Sequence, residues 1–131
     1  MITASLKNFR ITPRKIRVVA DMIRGKNVIL AGQILIHADK KAKGPLNDLL
    51  SSAIANAKHN FNIDPENLIV KEIRVDQGVV LKRHRPVSRG SAHPIKKRTS
   101  HVSIMLASVA ENKKVVKSEA KVAIKSVIKP K

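Results

Sequence analysis

Between Asp76 and Glu111 the chain carries no acidic residue, while Lys82, Arg83, Arg85, Arg89, Lys96, Lys97 and Arg98 crowd the middle of that stretch. Strand-like apolar runs flank it, Ile73-Arg74-Val75 before and Val102-Ser103-Ile104-Met105-Leu106 after. Such a sequence reads as a ribbon that leaves a folded body, turns through Pro and Gly, and returns positive. It cannot stabilise itself alone, because its charges repel and its tip has almost nothing apolar to bury. It needs an extended polyanion, and nucleic acid is the ordinary polyanion of that size.

Composition narrows how such a partner would be held. Lys plus Arg number 27 against 9 Asp plus Glu, a formal net charge of +18 on 131 residues. That length predicts one domain, and a 43% hydrophobic content is enough for a real core. Aromatic residues make up only 2%, Phe9 and Phe61. Modules that stack single-stranded bases on aromatic platforms need more than that, so binding should run mainly through phosphates and helical shape. Cysteine is absent from the sequence, which excludes disulfides and thiolate metal sites. No apolar run approaches the roughly 20 residues needed to span a bilayer, and the first residues do not follow the pattern of a secretory signal. A soluble, intracellular protein with no membrane partner is expected.

Local patterns place the elements. Residues 2–8 suit a strand with Ala4 and Leu6 on one face. Thr12 as N-cap, Pro13 at the first helical position, Ile16, Val19, Ala20 and Ile23 at helical spacing, and Gly25 as a stop define a first helix. Its other face shows Arg14, Lys15, Arg17 and Arg24, with Asp21 the only acid and Lys26 just beyond. Asn27 is read as the cap of a second helix running to about His37, apolar on most sides and therefore expected to be buried. Gly44-Pro45 reads as a break. A third helix follows, with Leu46, Leu49, Leu50, Ala53, Ile54, Ala57 and Phe61 on its stripe. Small residues, Ser51, Ser52, Ala53, Ala55 and Ala57, would let another element come close.

Residues 62–67, with Asp64-Pro65 inside, read as a loop, and residues 68–81 as a long strand. Ile69, Ile73 and Val75 are expected on one face of that strand, Lys71 interrupts the pattern, and Gly78 is the expected bulge. The turn chemistry of Pro86, Val87, Ser88, Arg89, Gly90, Ser91, Ala92, His93 and Pro94 marks a tip. If residues 79–92 form one arm, it projects on the order of 40 Å at about 3.3 Å per residue. Residues 1–110 are thus read as a single domain, with a hairpin over about 79–103 and a Lys-rich tail over 111–131, disordered until bound.

No catalytic constellation emerges. His37 and His59 are isolated in helical segments, and His84, His93 and His101 lie in or beside the ribbon without the close ligand spacing of a zinc site. The few carboxylates are scattered, and the ribbon has none to orient a histidine. Neither a phosphate-loop pattern nor a dinucleotide fingerprint occurs. The chain is read as a non-enzyme with no metal and no cofactor.

Two binding readings remain, from different classes. In one, a structural protein holds folded RNA. Lys82, Arg83, Arg85, Arg89, Lys96, Lys97 and Arg98 would meet phosphates, and Arg would bridge oxygen pairs better than Lys. Thr99 and Ser100 would donate to phosphate or ribose oxygens, with His101 beside them. In the other, a DNA-architectural protein wraps duplex with basic β-arms and wedges Pro86 or Pro94 into it. That alternative requires a dimeric body. A basic ribonuclease is a third reading, which RNA left intact by the protein would remove.

Three ordered motifs then carry a resemblance. Ile11-Thr12-Pro13-Arg14-Lys15-Ile16-Arg17-Val18-Val19-Ala20-Asp21-Met22-Ile23-Arg24-Gly25-Lys26 is similar to the first-helix motif of the bacterial large-ribosomal-subunit protein twenty-two family. Ile73-Arg74-Val75-Asp76-Gln77-Gly78, followed by Leu81-Lys82-Arg83 and Arg85-Pro86, resembles its outgoing strand. Ile95-Lys96-Lys97-Arg98-Thr99-Ser100-His101-Val102 resembles its return. The likeness covers roughly residues 2–109.

The resemblance implies an α+β fold: a two-layer β-α-α-α-β-β body with a three-stranded antiparallel sheet and a long protruding β-hairpin. It implies a cytoplasmic constituent of the large ribosomal subunit that binds large-subunit rRNA, helps organise its folding in assembly, and is not expected to form homo-oligomers. Arg14, Lys15, Arg17, Arg24 and Lys26 join the ribbon cations as implied rRNA contacts. The hairpin tip, residues 86–94, would line the polypeptide exit tunnel, touching the nascent chain, near neighbouring ribosomal proteins and a macrolide site. Members commonly carry Gly-Arg-Ala at the tip, where this chain has Gly90-Ser91-Ala92. The tail beyond Glu111 lies outside the likeness.

Overall fold

A computed structural model describes residues 2–109, which form one strand, three helices and two long strands in that order. The reading of residues 111–131 as a tail falls outside them. Strand β1 (Ile2–Phe9) buries Ile2 and Ala4 and leaves Thr3 and Ser5 exposed. Helix α1 (Pro13–Ile23) starts where its punctuation predicts, with Thr12 at the N-cap and Pro13 in the first turn, where a missing N–H costs nothing. The Thr12 hydroxyl makes no capping bond; its carbonyl opens the ladder by accepting from Lys15 N–H at 3.0 Å. Ile16, Val19, Ala20 and Ile23 form the buried stripe.

Gly25 then turns the chain with a φ of +73°, a region open to glycine at little cost. Its N–H donates to Val70 O at 2.9 Å, and Val70 N–H donates to Lys26 O at 2.9 Å. The turn is thereby pinned along an outer strand of the sheet, whose free backbone groups it covers.

Helix α2 (Val28–His37) is capped by Asn27, whose Oδ1 accepts from Ile29 N–H at 2.9 Å. The expectation that α2 is buried is corrected. Val28, Ala31 and Leu35 face the core, but Ile29, Leu30 and Ile36 are 48%, 46% and 65% exposed. Among the described residues the helices form the outer layer, and a segment apolar on most sides does little to mark which face is open.

Helix α3 (Lys43–Phe61) corrects two further expectations. Gly44-Pro45 lies inside its first turn rather than before it, which is tolerated because first-turn N–H groups have no intrahelical acceptor. Phe61, the last residue, is 48% exposed rather than on the core stripe. Ala53 and Ala57 are buried, while Ser51, Ser52 and Ala55 face solvent. Asn56 Nδ2 donates to Thr3 O at 3.3 Å where α3 crosses β1. The helix ends on Asn62 in the left-handed region, with Asn62 N–H donating to Lys58 O and Ile63 N–H to Ala57 O. A single 3-10 turn, Pro65–Asn67, leads into the second strand.

Strands β2 (Leu68–Pro86) and β3 (Ala92–Ser108) complete an antiparallel sheet in the order β1-β3-β2. Ile69 does not share the face of Ile73 and Val75. The register shifts between Val70 and Glu72, so Lys71 is an extra residue and the alternation reverses across it. Leu68 and Val70 fill the core before the shift, Ile73 and Val75 after it. A second shift falls between Gln77 and Val80, around Gly78 as expected. A Cβ at Gly78 would lie 2.6 Å from Thr99 Oγ1, so the bend requires glycine.

One sheet face packs against the helix layer, and the inward residues of all six elements join a single apolar cluster. The last rung shared with β1 is Phe9↔Ser100. Beyond it β2 and β3 continue alone for seven rungs, from Val80↔Arg98 to Pro86↔Ala92. The two-stranded arm is therefore shorter than the 79–103 reading. It spans roughly 20 Å rather than 40 Å at about 3.3 Å per residue, because residues 79–92 include the turn and residues 99–103 belong to the body.

Candidate nucleic-acid interface

Register decides what the arm presents. Side chains alternate between faces along each strand, and paired residues share a face. One face therefore carries Lys82, Lys96 and Arg98; the other carries Arg83, Arg85 and Lys97. All six are exposed. Lys82 stands directly opposite Lys96, an arrangement that works against the hairpin unless an anion intervenes. Positive charge thus stands on both sides of the arm.

The tip is narrow. Val87 N–H donates to Ser91 O at 2.9 Å, and Ser91 Oγ donates to Ser88 O at 3.0 Å. Arg89 and Gly90 both take positive φ, 59° and 70°. Ser91, at the place where relatives of the resembled family commonly have Arg, is thus folded back into the loop. Pro86, Val87, Ser88, Ala92, His93 and Pro94 complete an entirely exposed loop and its shoulders.

Where the arm meets the body, residues far apart in sequence converge. A cavity of about 750 Å³ is lined by Arg10, Lys15, Lys40, Lys41, Lys96, Lys97 and Arg98, with Ile11, Thr12, Val18, Asp39 and Ala42. A second hollow of about 460 Å³ brings Arg14, Arg17 and Gln77 to the other side of Thr12 and Arg98. Arg98 lines both, so the start of α1 and the root of the arm form one cationic surface. Nothing in the sequence marked Arg10, and Lys40 and Lys41 showed only as a doublet whose partners are assembled by the fold.

Other candidates are placed differently. Arg24 and Lys26 sit at the far end of α1, about 15 Å along an 11-residue helix at 1.5 Å per residue. Arg24 pairs with Asp21 at 2.7 Å and donates to Ile73 O at 3.3 Å. Arg17 donates to Val75 O at 3.0 Å through Nη2, tying α1 to β2. Thr99 and Ser100, expected as RNA donors, are only 4% and 0% exposed. Thr99 Oγ1 donates to Val79 O at 2.7 Å and Ser100 Oγ to Ile11 O at 2.7 Å, so both hydroxyls brace the arm's root. His101 Nδ1 accepts from Asn8 N–H at 3.0 Å, where the β1–β3 register shifts between Leu6 and Phe9.

On the open face of β2, Glu72 accepts a hydrogen bond from Arg74. That bond, with the charge of Arg74, holds the Glu72 carboxyl below its usual range and raises the Arg74 guanidinium. Among the described residues no group of His, Asp and Glu is placed to hold a metal ion, and no helix is long and apolar enough to cross a membrane.

The described residues form a small α+β body with a β-arm that is cationic on both faces. Comparison with known proteins gives the lineage: residues 4–107 match the ribosomal protein L22p/L17e family, and the chain belongs to it. The chain is 48% identical over 101 residues to large ribosomal subunit protein uL22 of Acholeplasma laidlawii, covering 77% of this chain and 91% of that one. Its identity to uL22 of Desulfitobacterium hafniense is 52% over 97 residues, 74% of this chain and 85% of the relative. With uL22 of Herpetosiphon aurantiacus it is 48% over 103 residues, 79% and 91% of the two chains. The family is one of structural, non-enzymatic ribosomal proteins.

Proposed function

We propose that this chain is a structural constituent of the large ribosomal subunit, in the cytoplasm, that holds large-subunit rRNA segments at fixed spacing. One observation carries the reading: the arm is positive on both faces, and among the described residues all six of its strand cations are exposed. Lys82, Lys96 and Arg98 would neutralise phosphates on one side while Arg83, Arg85 and Lys97 do so on the other, each contact releasing counterions. Arg14, Lys15 and Arg17 extend the contact over the body at the arm's root, and Arg24 and Lys26 mark a separate point of attachment. Arg89 at the tip reaches furthest.

With rRNA packed on both faces, the narrow loop at residues 86–94 is the part left to line a passage. This supports the exit-tunnel reading, in which the tip borders the nascent polypeptide and a macrolide bound there would lie near it. The uncharged outer face of α2, with Ile29, Leu30 and Ile36, suits a neighbouring ribosomal protein better than phosphate.

The test is binding of the full chain to large-subunit rRNA fragments across a salt series. The expected slope of log affinity against log salt corresponds to several phosphate contacts, with duplex DNA a poor competitor. Affinity unchanged over a several-fold rise in salt, or preference for bent duplex DNA by a dimer, would overturn the proposal.

A further inference from the structure

The cavity at the arm's root is not lined as a simple phosphate seat. Its lining includes the apolar Ile11, Val18 and Ala42 together with the cations Arg10, Lys15 and Arg98. Val18, like Met22 four residues on in α1, is an exposed apolar residue, at 54%. Among the cations stands one acid, Asp39, which takes part in neither of the ion pairs found among the described residues. A phosphate has no use for an apolar wall and is repelled by a carboxylate. A nucleobase uses both, and about 750 Å³ lies within the roughly 300–1,000 Å³ typical of ligand pockets.

We propose that this cavity takes a single guanine base swung out of an RNA helix. The base lies against Ile11 and Val18, its N1–H and N2–H donate to the two carboxylate oxygens of Asp39, and Arg10, Lys15 and Arg98 hold the flanking phosphates. Unpaired bases in bulges and loops are the parts of RNA that proteins read by their edges. The chain's shortage of aromatics leaves an aliphatic wall as the surface for such a base. Only guanine offers two parallel N–H donors on its Watson–Crick edge. Adenine and cytosine each set a ring acceptor beside a single amino group, and uracil flanks its one N–H with two carbonyls, so the carboxylate disfavours all three.

The inference rests on the RNA-binding reading and adds to it a base and the atoms that read it. The experiment measures anisotropy of short labelled RNA hairpins with the full-length protein over a salt series. Their stems carry one unpaired guanosine, inosine or adenosine, or no bulge. Bulged guanosine should bind more tightly than bulged adenosine by roughly five- to one-hundredfold, the range of one good two-point base contact. Inosine, lacking the 2-amino group, should fall between them. Asp39→Asn should bring the guanosine-to-adenosine ratio to about one with the salt slope unchanged, even though losing a negative charge strengthens every RNA somewhat. Val18→Ser should draw all bulged RNAs toward the bulge-free affinity.

A wild-type guanosine-to-adenosine ratio near one, or a ratio that survives Asp39→Asn, overturns the guanine site. If all four RNAs bind alike with the salt slope intact, the guanine site alone fails. If none binds in a salt-dependent way, the RNA-binding reading fails with it.

Discussion

Gly78 has a role that only a neighbour's position explains. A methyl group there would meet Thr99 Oγ1 at 2.6 Å and push it off the Val79 carbonyl it now holds at 2.7 Å. Gly78→Ala should therefore cost about 1–3 kcal/mol of stability in urea unfolding, from overpacking and one lost buried hydrogen bond. The cost should be less than additive with Thr99→Ala, which removes the clashing atom. Arg89 illustrates the opposite balance. It occupies the left-handed region, where a non-glycine residue is strained by about 1–2 kcal/mol. Arg89→Gly should ease that strain yet reduce the salt slope of RNA binding by about one, if its guanidinium meets a phosphate. At Glu72 the folded-state value is depressed by the Arg74 hydrogen bond. The pair's contribution is present above the unfolded carboxylate value and is lost as pH falls through the folded one. NMR titration should find the Glu72 midpoint below the ordinary range and Arg74→Ala should restore it. Both groups are open to solvent, so added salt should shrink the shift.

The arm should be separable from the body. No residue between Val80 and Arg98 contributes to the buried core, and the rungs from Leu68↔Ser108 to Gln77↔Ser100 stand without them. Replacing residues 80–98 with a short Asn-Gly turn should leave the thermal midpoint nearly unchanged while abolishing most of the salt-dependent RNA affinity. A variant that fails to fold would show that the body depends on the arm. Elements with their own punctuation were legible from sequence: α1 has Thr12, Pro13 and Gly25 around a clear helical stripe. Helix α2 exists where Asn27 places it, but its exposed side was not legible, because burial depends on which layers lie above it. Lys71 was visible as an interruption; that it reverses the face of everything before it belongs to strand pairing. Thr99 and Ser100 have the chemistry of phosphate donors, but Ser100 spends its hydroxyl on Ile11, 89 residues away. The same distance effect hid Lys40 and Lys41, which gain meaning only beside Lys97.

For the whole molecule, the apolar core and the exposed charge are divided between two parts of one sheet. The helix layer and the sheet face beneath it hold the apolar cluster, and the strands beyond Ser100 hold charge. Amide exchange in the free protein should accordingly be slow at Val102, Ile104 and Leu106 and fast from Val80 to Arg98, slowing there once RNA is added. Protection of the arm without RNA would contradict this division. The cations on opposite sides of the arm have a further consequence, for timing. On the proposed reading the finger is enclosed on both sides, and such a finger is hard to slide into a finished crevice whose walls are already joined. The chain would have to arrive while its surroundings are still open, so that the walls close around it during biogenesis rather than admit it afterwards.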